Sequence, residues 1–144
     1  MKRLMGTSND VALTMLRVVL GMVFFAHGAQ KMLGWFGGFG FHGTMGAFTH
    51  MGMPAALAFL IICTEFFGGL GLIVGLLTRI AALGVGGLMV GAIFMVHLAN
   101  GFFMNWMGTQ KGEGFEYHLL ALAMAAALLL RGAGAFSLDR TLAK

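Results

Sequence analysis

Charge is what this chain has least of. Only nine of its 144 residues are Lys or Arg and five are Asp or Glu, 10% in all. Soluble domains carry about 25% charged residues, so this set is too small to coat a water-facing surface. Cysteine occurs once, at Cys63, which excludes an internal disulfide and any Cys-x-x-Cys couple. Alone in an apolar run, Cys63 reads as a small core residue. Proline occurs once, at Pro54, and the composition is neither collagen-like nor disordered. The formal charge is +4, but the basic residues are scattered, so no nucleic-acid partner is expected. Gly37-Gly38-x-Gly40 follows no strand and makes no dinucleotide loop. No Ser–His–Asp elbow and no Gly-Lys-Ser/Thr loop is present.

What is there is apolar: 59% of the residues are hydrophobic. A membrane helix needs roughly 20 mostly apolar residues, and four stretches qualify, near 11–33, 54–77, 80–99 and 116–136. None alternates with period two, so no barrel is expected. The expected fold is a single all-α domain, an integral membrane four-helix bundle whose first partner is the lipid bilayer. Asn9 or Asp10 suits the cap of the first span, and Pro54 suits the first position of the second. Spans two and three, joined around Thr78-Arg79, form a tight antiparallel hairpin. Residues 34–53 and 100–115 are long loops, in which Trp35 and Trp106 fit an interfacial aromatic belt. Lys2-Arg3 before an apolar run imitates a signal peptide, but Arg17 interrupts that run, so the segment reads as a retained first helix. Lys2, Arg3, Arg79, Arg131, Arg140 and Lys144 fall on one side, against Lys31 and Lys111. That bias puts both termini in the cytoplasm and the long loops outside. Gly71-x-x-x-Gly75 and Gly87-x-x-x-Gly91 offer close helix approach, inside the bundle or between copies of a homo-oligomer.

The informative residues are those whose burial in lipid is expensive. A charged side chain at mid-bilayer costs about 2.5–3.5 kcal/mol on insertion scales. Arg17, Glu65 and His97 lie inside spans, and His27, Gln30 and Lys31 sit near the end of span one. At 100° per residue, Arg17, Gly21, Phe24, Gly28 and Lys31 share one stripe. Gly68 and Gly69, beside Glu65, let a neighbouring helix approach the carboxylate. The partner of Glu65 is then Arg17 or Lys31. Glu65 reads either as half of a register-fixing ion pair or as a proton-accepting group in a polar pocket. Arg17 reads as a snorkelling cation or as a pocket residue, and the histidines as core hydrogen-bonders or bases. Arg17, His27, Gln30, Lys31, Glu65, His97 and Glu116 form the candidate pocket set, with Phe24 and Trp35 as candidate stacking surfaces. His42, His50, Met51, Met53, Met104 and Met107 are donor types that suit copper(I). No ligand spacing supports a site, so no metal is assigned, and a haem held by His27 and His97 lacks support as well.

These residues fall into a recognisable order. Leu16-Arg17 leads to His27-Gly28-Ala29-Gln30-Lys31. Glu65-Phe66-Phe67-Gly68-Gly69 runs on to Gly75-Leu76-Leu77-Thr78-Arg79. Ala92–His97 closes span three, Glu116-Tyr117 opens span four, and Ser137-Leu138-Asp139 follows it. Across roughly residues 13–139 this pattern resembles the DoxX family of bacterial membrane proteins. The resemblance implies a four-helix bundle in the bacterial inner membrane and an association with redox chemistry. DoxX-like chains look like the membrane subunit of thiosulfate:quinone oxidoreductases. Others are linked to membrane complexes with a sulfurtransferase and a superoxide dismutase in oxidative-stress defence. The expected function is therefore the membrane subunit of a redox system with a quinone ligand. Catalysis would occur only together with a membrane or soluble redox protein partner, because this chain has no evident redox centre. The alternatives are a non-catalytic scaffold or assembly partner and, third, a small-solute transporter.

Overall fold

A computed structural model describes residues 5–143. Lys2, Arg3 and Lys144, which enter the charge balance above, lie outside that range. Among the described residues all regular structure is helical. Helix α1 is Val11–Leu33. Asp10 opens it, its carboxylate accepting from the amides of Ala12 (2.8 Å) and Leu13 (3.4 Å), which satisfies amides that lack intrahelical partners. Gly34, at φ 74°, ends it in the left-handed conformation that glycine adopts without steric cost. Helix α2 is Gly40–His50, α3 is Ala55–Val74 and α4 is Thr78–Asn100. Helix α5 is Glu116–Arg131 and α6 is Leu138–Leu142.

Three expectations are corrected. Residues 34–53 are not an irregular loop, because α2 fills most of them. The fourth span does not reach residue 136: α5 stops at Arg131, where Gly132 and Gly134 take φ of 84° and 83° and turn the chain. The hairpin turn is Gly75–Leu77, so Thr78 and Arg79 already belong to α4, while Pro54 stands just ahead of α3.

Helices α1, α3, α4 and α5 alternate in direction. The most extensive packing is α1 on α3 and α4 on α5. Close approach of α1 and α3 depends on three glycines. A Cβ on Gly28 would lie 2.5 Å from Phe66 Cα, one on Gly21 2.9 Å from the Gly69 oxygen, and one on Gly69 2.8 Å from Phe25 Cα. Gly87 and Gly91 face open space, so the expected Gly87-x-x-x-Gly91 approach is not used among the described residues. The core between the four helices holds Leu20, Phe24, Leu72, Val85, Ala125 and Leu128. The flanks are apolar too: Met15, Leu83, Phe94, Leu120 and Leu130 are each more than 60% exposed. An exposed apolar surface of that extent is a lipid-facing one. Helices α1, α3 and α4 are long and apolar enough to cross a membrane. At 1.5 Å per residue the 16 residues of α5 reach about 24 Å.

Candidate functional site

The costly polar residues of α1 do not converge. Arg17 and Lys31 share a stripe but lie about 21 Å apart along the axis, and each belongs to its own cluster.

Arg17 is 1% exposed and its guanidinium is enclosed by carbonyls. Nε donates to Ala133 O (2.9 Å), Nη1 to Leu72 O (2.5 Å) and Ile73 O (2.7 Å), and Nη2 to Phe136 O (2.7 Å). Two of these acceptors are the last carbonyls of α3, where a cation complements the helix dipole. Gly75, at φ 73°, has no side chain because one would overlap Arg17 and Ser137. Beside it Asp139 is 1% exposed. Its carboxylate accepts from the amides of Leu77 (2.7 Å) and Thr78 (2.9 Å), opening α4, while its own amide donates to Gly75 O. Leu77 sits at φ 51°, a strained conformation for leucine held by that bond. Arg79 donates to Leu129 O and Gly6 O. Arg17 therefore neither snorkels nor meets Glu65. With Asp139 it locks the turn between α3 and α4 to the segment after α5.

The second cluster lies at the other end. Lys31 Nζ donates to Glu65 Oε2 at 2.5 Å, with the two side chains 24% and 12% exposed. Lys31, not Arg17, is thus the partner of Glu65. Glu65 sits in a π-helical turn, Thr64–Gly68, within α3. Such turns re-aim one side chain and are frequent at functional sites. Gly28, one turn before Lys31, brings the α3 backbone against α1 and sets this geometry.

A cavity of about 380 Å³ opens beside the pair, lined by Gln30, Lys31, Gly37, Gly38, Phe39, Thr44, Ala47, Phe48 and Met51. It exists because α2 folds back over the end of α1, with Phe41 packed edge-on to Phe59 of α3 (6.2 Å). Gly38 lets the link lie against the Gln30 backbone, where a Cβ would not fit. The lining is mostly apolar, with an ammonium and an amide at the α1 side and the buried Thr44 hydroxyl on α2. That is the usual make-up of a small-ligand pocket.

Other expected pocket residues lie elsewhere. His27 is exposed on the flank of α1. Phe24 is 2% exposed in the bundle core, and Trp35 is exposed edge-on to Phe36. Neither aromatic lines the cavity; Phe39 and Phe48 do. Gln30 also donates to Phe36 O (3.4 Å). Glu116 accepts from the Met104 amide (2.9 Å) and anchors the 101–115 segment. His97 ends a second π-helical turn, Ile93–His97, and its ring lies 4.1 Å from that of His118. His118 escaped the sequence reading. It is 5% exposed, and its Nδ1 is buried without a hydrogen-bond partner among the described residues. The signal was present, since His118, Ala121, Ala125 and Leu128 are the buried residues of α5 and follow helical spacing.

A helical bundle whose flanks are apolar and whose Arg17, Glu65, His118 and Asp139 are buried inside it is an α-helical membrane protein. Its sequence gives the family: the DoxX model matches residues 12–98, and the chain belongs to the DoxX family. It is 33% identical over 124 residues to "Putative oxidoreductase CatD" of Bacillus subtilis (strain 168), covering 86% of this chain and 83% of that protein. It is 31% identical to "Inner membrane protein YqjF" of Escherichia coli (strain K12), covering 94% and 95%. It is 30% identical to "Uncharacterized membrane protein Rv3486" of Mycobacterium tuberculosis (strain ATCC 25618 / H37Rv), covering 99% and 88%. No solved structure matches the chain.

Proposed function

We propose that this chain is the membrane subunit of a redox system and that the cavity beside Lys31 holds a quinone headgroup. The observation that carries the reading is the Lys31–Glu65 pair next to an apolar, aromatic-lined cavity at the end of the bundle. A quinone needs apolar walls for its ring, a donor at a carbonyl oxygen and a group that exchanges protons. Phe39, Phe48 and Met51 supply the walls. Lys31 donates to a carbonyl oxygen, and Glu65 takes up or releases a proton while keeping the ammonium oriented. Reduction of a bound quinone consumes two electrons and two protons. In this reading the electrons come from a redox protein partner. The relative named an oxidoreductase and the one named an inner membrane protein support this direction.

In this reading α5 is a fourth pass, the bilayer thinning to its shorter length. The end bearing Arg79, Arg131 and Arg140 faces the cytoplasm of a bacterial inner membrane. Photolabelling with an azido-quinone, followed by peptide mass spectrometry, tests the site. Label is expected on residues 30–51, competed by decylubiquinone. Label spread over the lipid-facing flanks contradicts it. A scaffold role is the second reading, favoured by the Arg17–Asp139 lock, in which conspicuous charged residues serve the fold alone. Glu65→Gln separates the two: a scaffold keeps both partner docking and redox turnover, whereas a quinone subunit keeps docking and loses turnover.

A further inference from the structure

The flank of the bundle between α4 and α5 holds a second cavity, about 330 Å³ in volume, that shares no residue with the one beside Lys31. Leu83, Gly86, Gly87 and Val90 line it on α4, and Leu122 and Leu129 on α5. Two glycines make the space. A Cβ on Gly87 would have nothing within 4 Å, and one on Gly86 would meet the Ala125 Cβ at 3.8 Å. No ionisable side chain lines the groove, and Leu83 and Val90 on its rim are exposed on the lipid-facing flank. From Ala82 to Val90 its α4 wall rises about 12 Å, less than half of the ~30 Å apolar layer of a bilayer. It begins one turn from the end of α4 that carries Arg79.

Arg79 closes that end. At 100° per residue it lies within about 40° of Leu83, Gly86 and Val90. Its Nη1 donates to Leu129 O, on the α5 wall of the groove, and its Nη2 to Gly6 O at 3.1 Å. Its Nε is buried with no partner among the described residues. No carboxylate pairs with this cation, because Lys31–Glu65 is the only salt bridge among the described residues. Asp10 and Asp139, the carboxylates of this end, are engaged at the starts of α1 and α4. Arg131 stands exposed at the same end. A cation at headgroup depth, beside an apolar slot that opens sideways, complements an anionic lipid.

We propose that this groove binds one anionic phospholipid, with an acyl chain against Gly86 and Gly87 and the phosphate at Arg79. A partner helix would run the full depth of the membrane, whereas the groove ends at Val90. Charge disfavours a second copy: an axis along the membrane normal would bring Arg79 of each copy to one depth on facing surfaces, like charge toward like. The site lies at the end of the bundle away from Lys31 and stands independently of the quinone reading.

Native mass spectrometry of the full chain tests it. The protein is delipidated in detergent and titrated with dioleoylphosphatidylglycerol or, separately, dioleoylphosphatidylcholine. The Kd of the first lipid bound is expected to be about fivefold lower for phosphatidylglycerol, the worth of one arginine at an anionic headgroup. Gly87→Leu, which fills the slot, and Arg79→Gln, which leaves it open, both abolish this preference, and Arg79→Lys keeps it. Equal Kd values for the two lipids in the wild type overturn the proposal, as does a preference that survives Gly87→Leu. Displacement of the bound phosphatidylglycerol by inorganic phosphate overturns it in favour of a free-anion site. A protein dimer that Gly87→Leu splits puts a second copy in the groove instead. Should Arg79→Gln fail to fold, Gly87→Leu and Arg79→Lys still decide.

Discussion

Adding one methyl group to Gly28 or to Gly87 gives opposite results if glycine contacts, and not glycine motifs, hold the bundle together. Both residues lie inside helices, so alanine at either position gains about 0.5–1 kcal/mol from lower backbone entropy in the unfolded chain. At Gly87 nothing lies within 4 Å of the new Cβ, so that gain stands alone. At Gly28 the Cβ would be 2.5 Å from Phe66 Cα and 2.6 Å from the Glu65 carbonyl carbon. Non-bonded carbons rest about 3.5–4.0 Å apart, so α1 and α3 must part by about 1 Å. Both obstructing groups are backbone and cannot swing aside. Overpacking of this kind costs about 1–3 kcal/mol, and parting the helices also lengthens Lys31–Glu65, one turn on. The entropy gain is common to both, so the two variants differ by the overpacking cost alone, about 1–3 kcal/mol. At about 2–4 °C per kcal/mol for a chain of this size, their unfolding midpoints separate by roughly 2–12 °C. Thermal unfolding in one detergent, followed by circular dichroism, measures this. A Gly28→Ala protein as stable as wild type, or a Gly87→Ala protein that falls as far, refutes the packing argument.

The Arg17 cluster makes two further predictions. Arg17→Met strands four carbonyls and leaves Asp139 without its nearby cation; a loss of about 3–5 kcal/mol is expected in the same unfolding assay, with Arg17→Lys recovering only part because an ammonium cannot reach all four. Asp139→Asn weakens two bonds to the start of α4 and costs about 1–3 kcal/mol, whereas Leu77→Gly relieves the left-handed leucine and gains about 1 kcal/mol; a loss on Leu77→Gly argues against strain there.

The stripe Arg17, Gly21, Phe24, Gly28, Lys31 was legible as the inward face of α1, because helical phase is a local property. Phase gives no depth partner, however, and the same stripe serves two clusters a helix length apart. Arg17 needed knowledge of residues 132–137, whose carbonyls reach it only once the chain after α5 turns back. That turn had a signal in Gly132 and Gly134, since glycine just past an apolar run commonly ends a helix. Helix α2 had little, with glycine at 40, 43 and 46 weakening its propensity; it forms because Phe41 and Thr44 find partners on the bundle. The π-helical turns that aim Glu65 and His97 leave no trace in residue spacing. Phe39 and Phe48 were overlooked because nothing local says that their segment folds back over Lys31.

A quinone site built on the Lys31–Glu65 pair is tested directly by an equilibrium titration. Purified protein in nanodiscs is titrated with decylubiquinone while tryptophan fluorescence is followed, Trp35 adjoining the cavity wall at Gly37 and Gly38. Saturable quenching is expected, with Kd raised at least tenfold in Lys31→Gln but unchanged in His27→Ala on the outer flank. Quenching that never saturates, or equal Kd values for wild type and Lys31→Gln, rules out a quinone at Lys31.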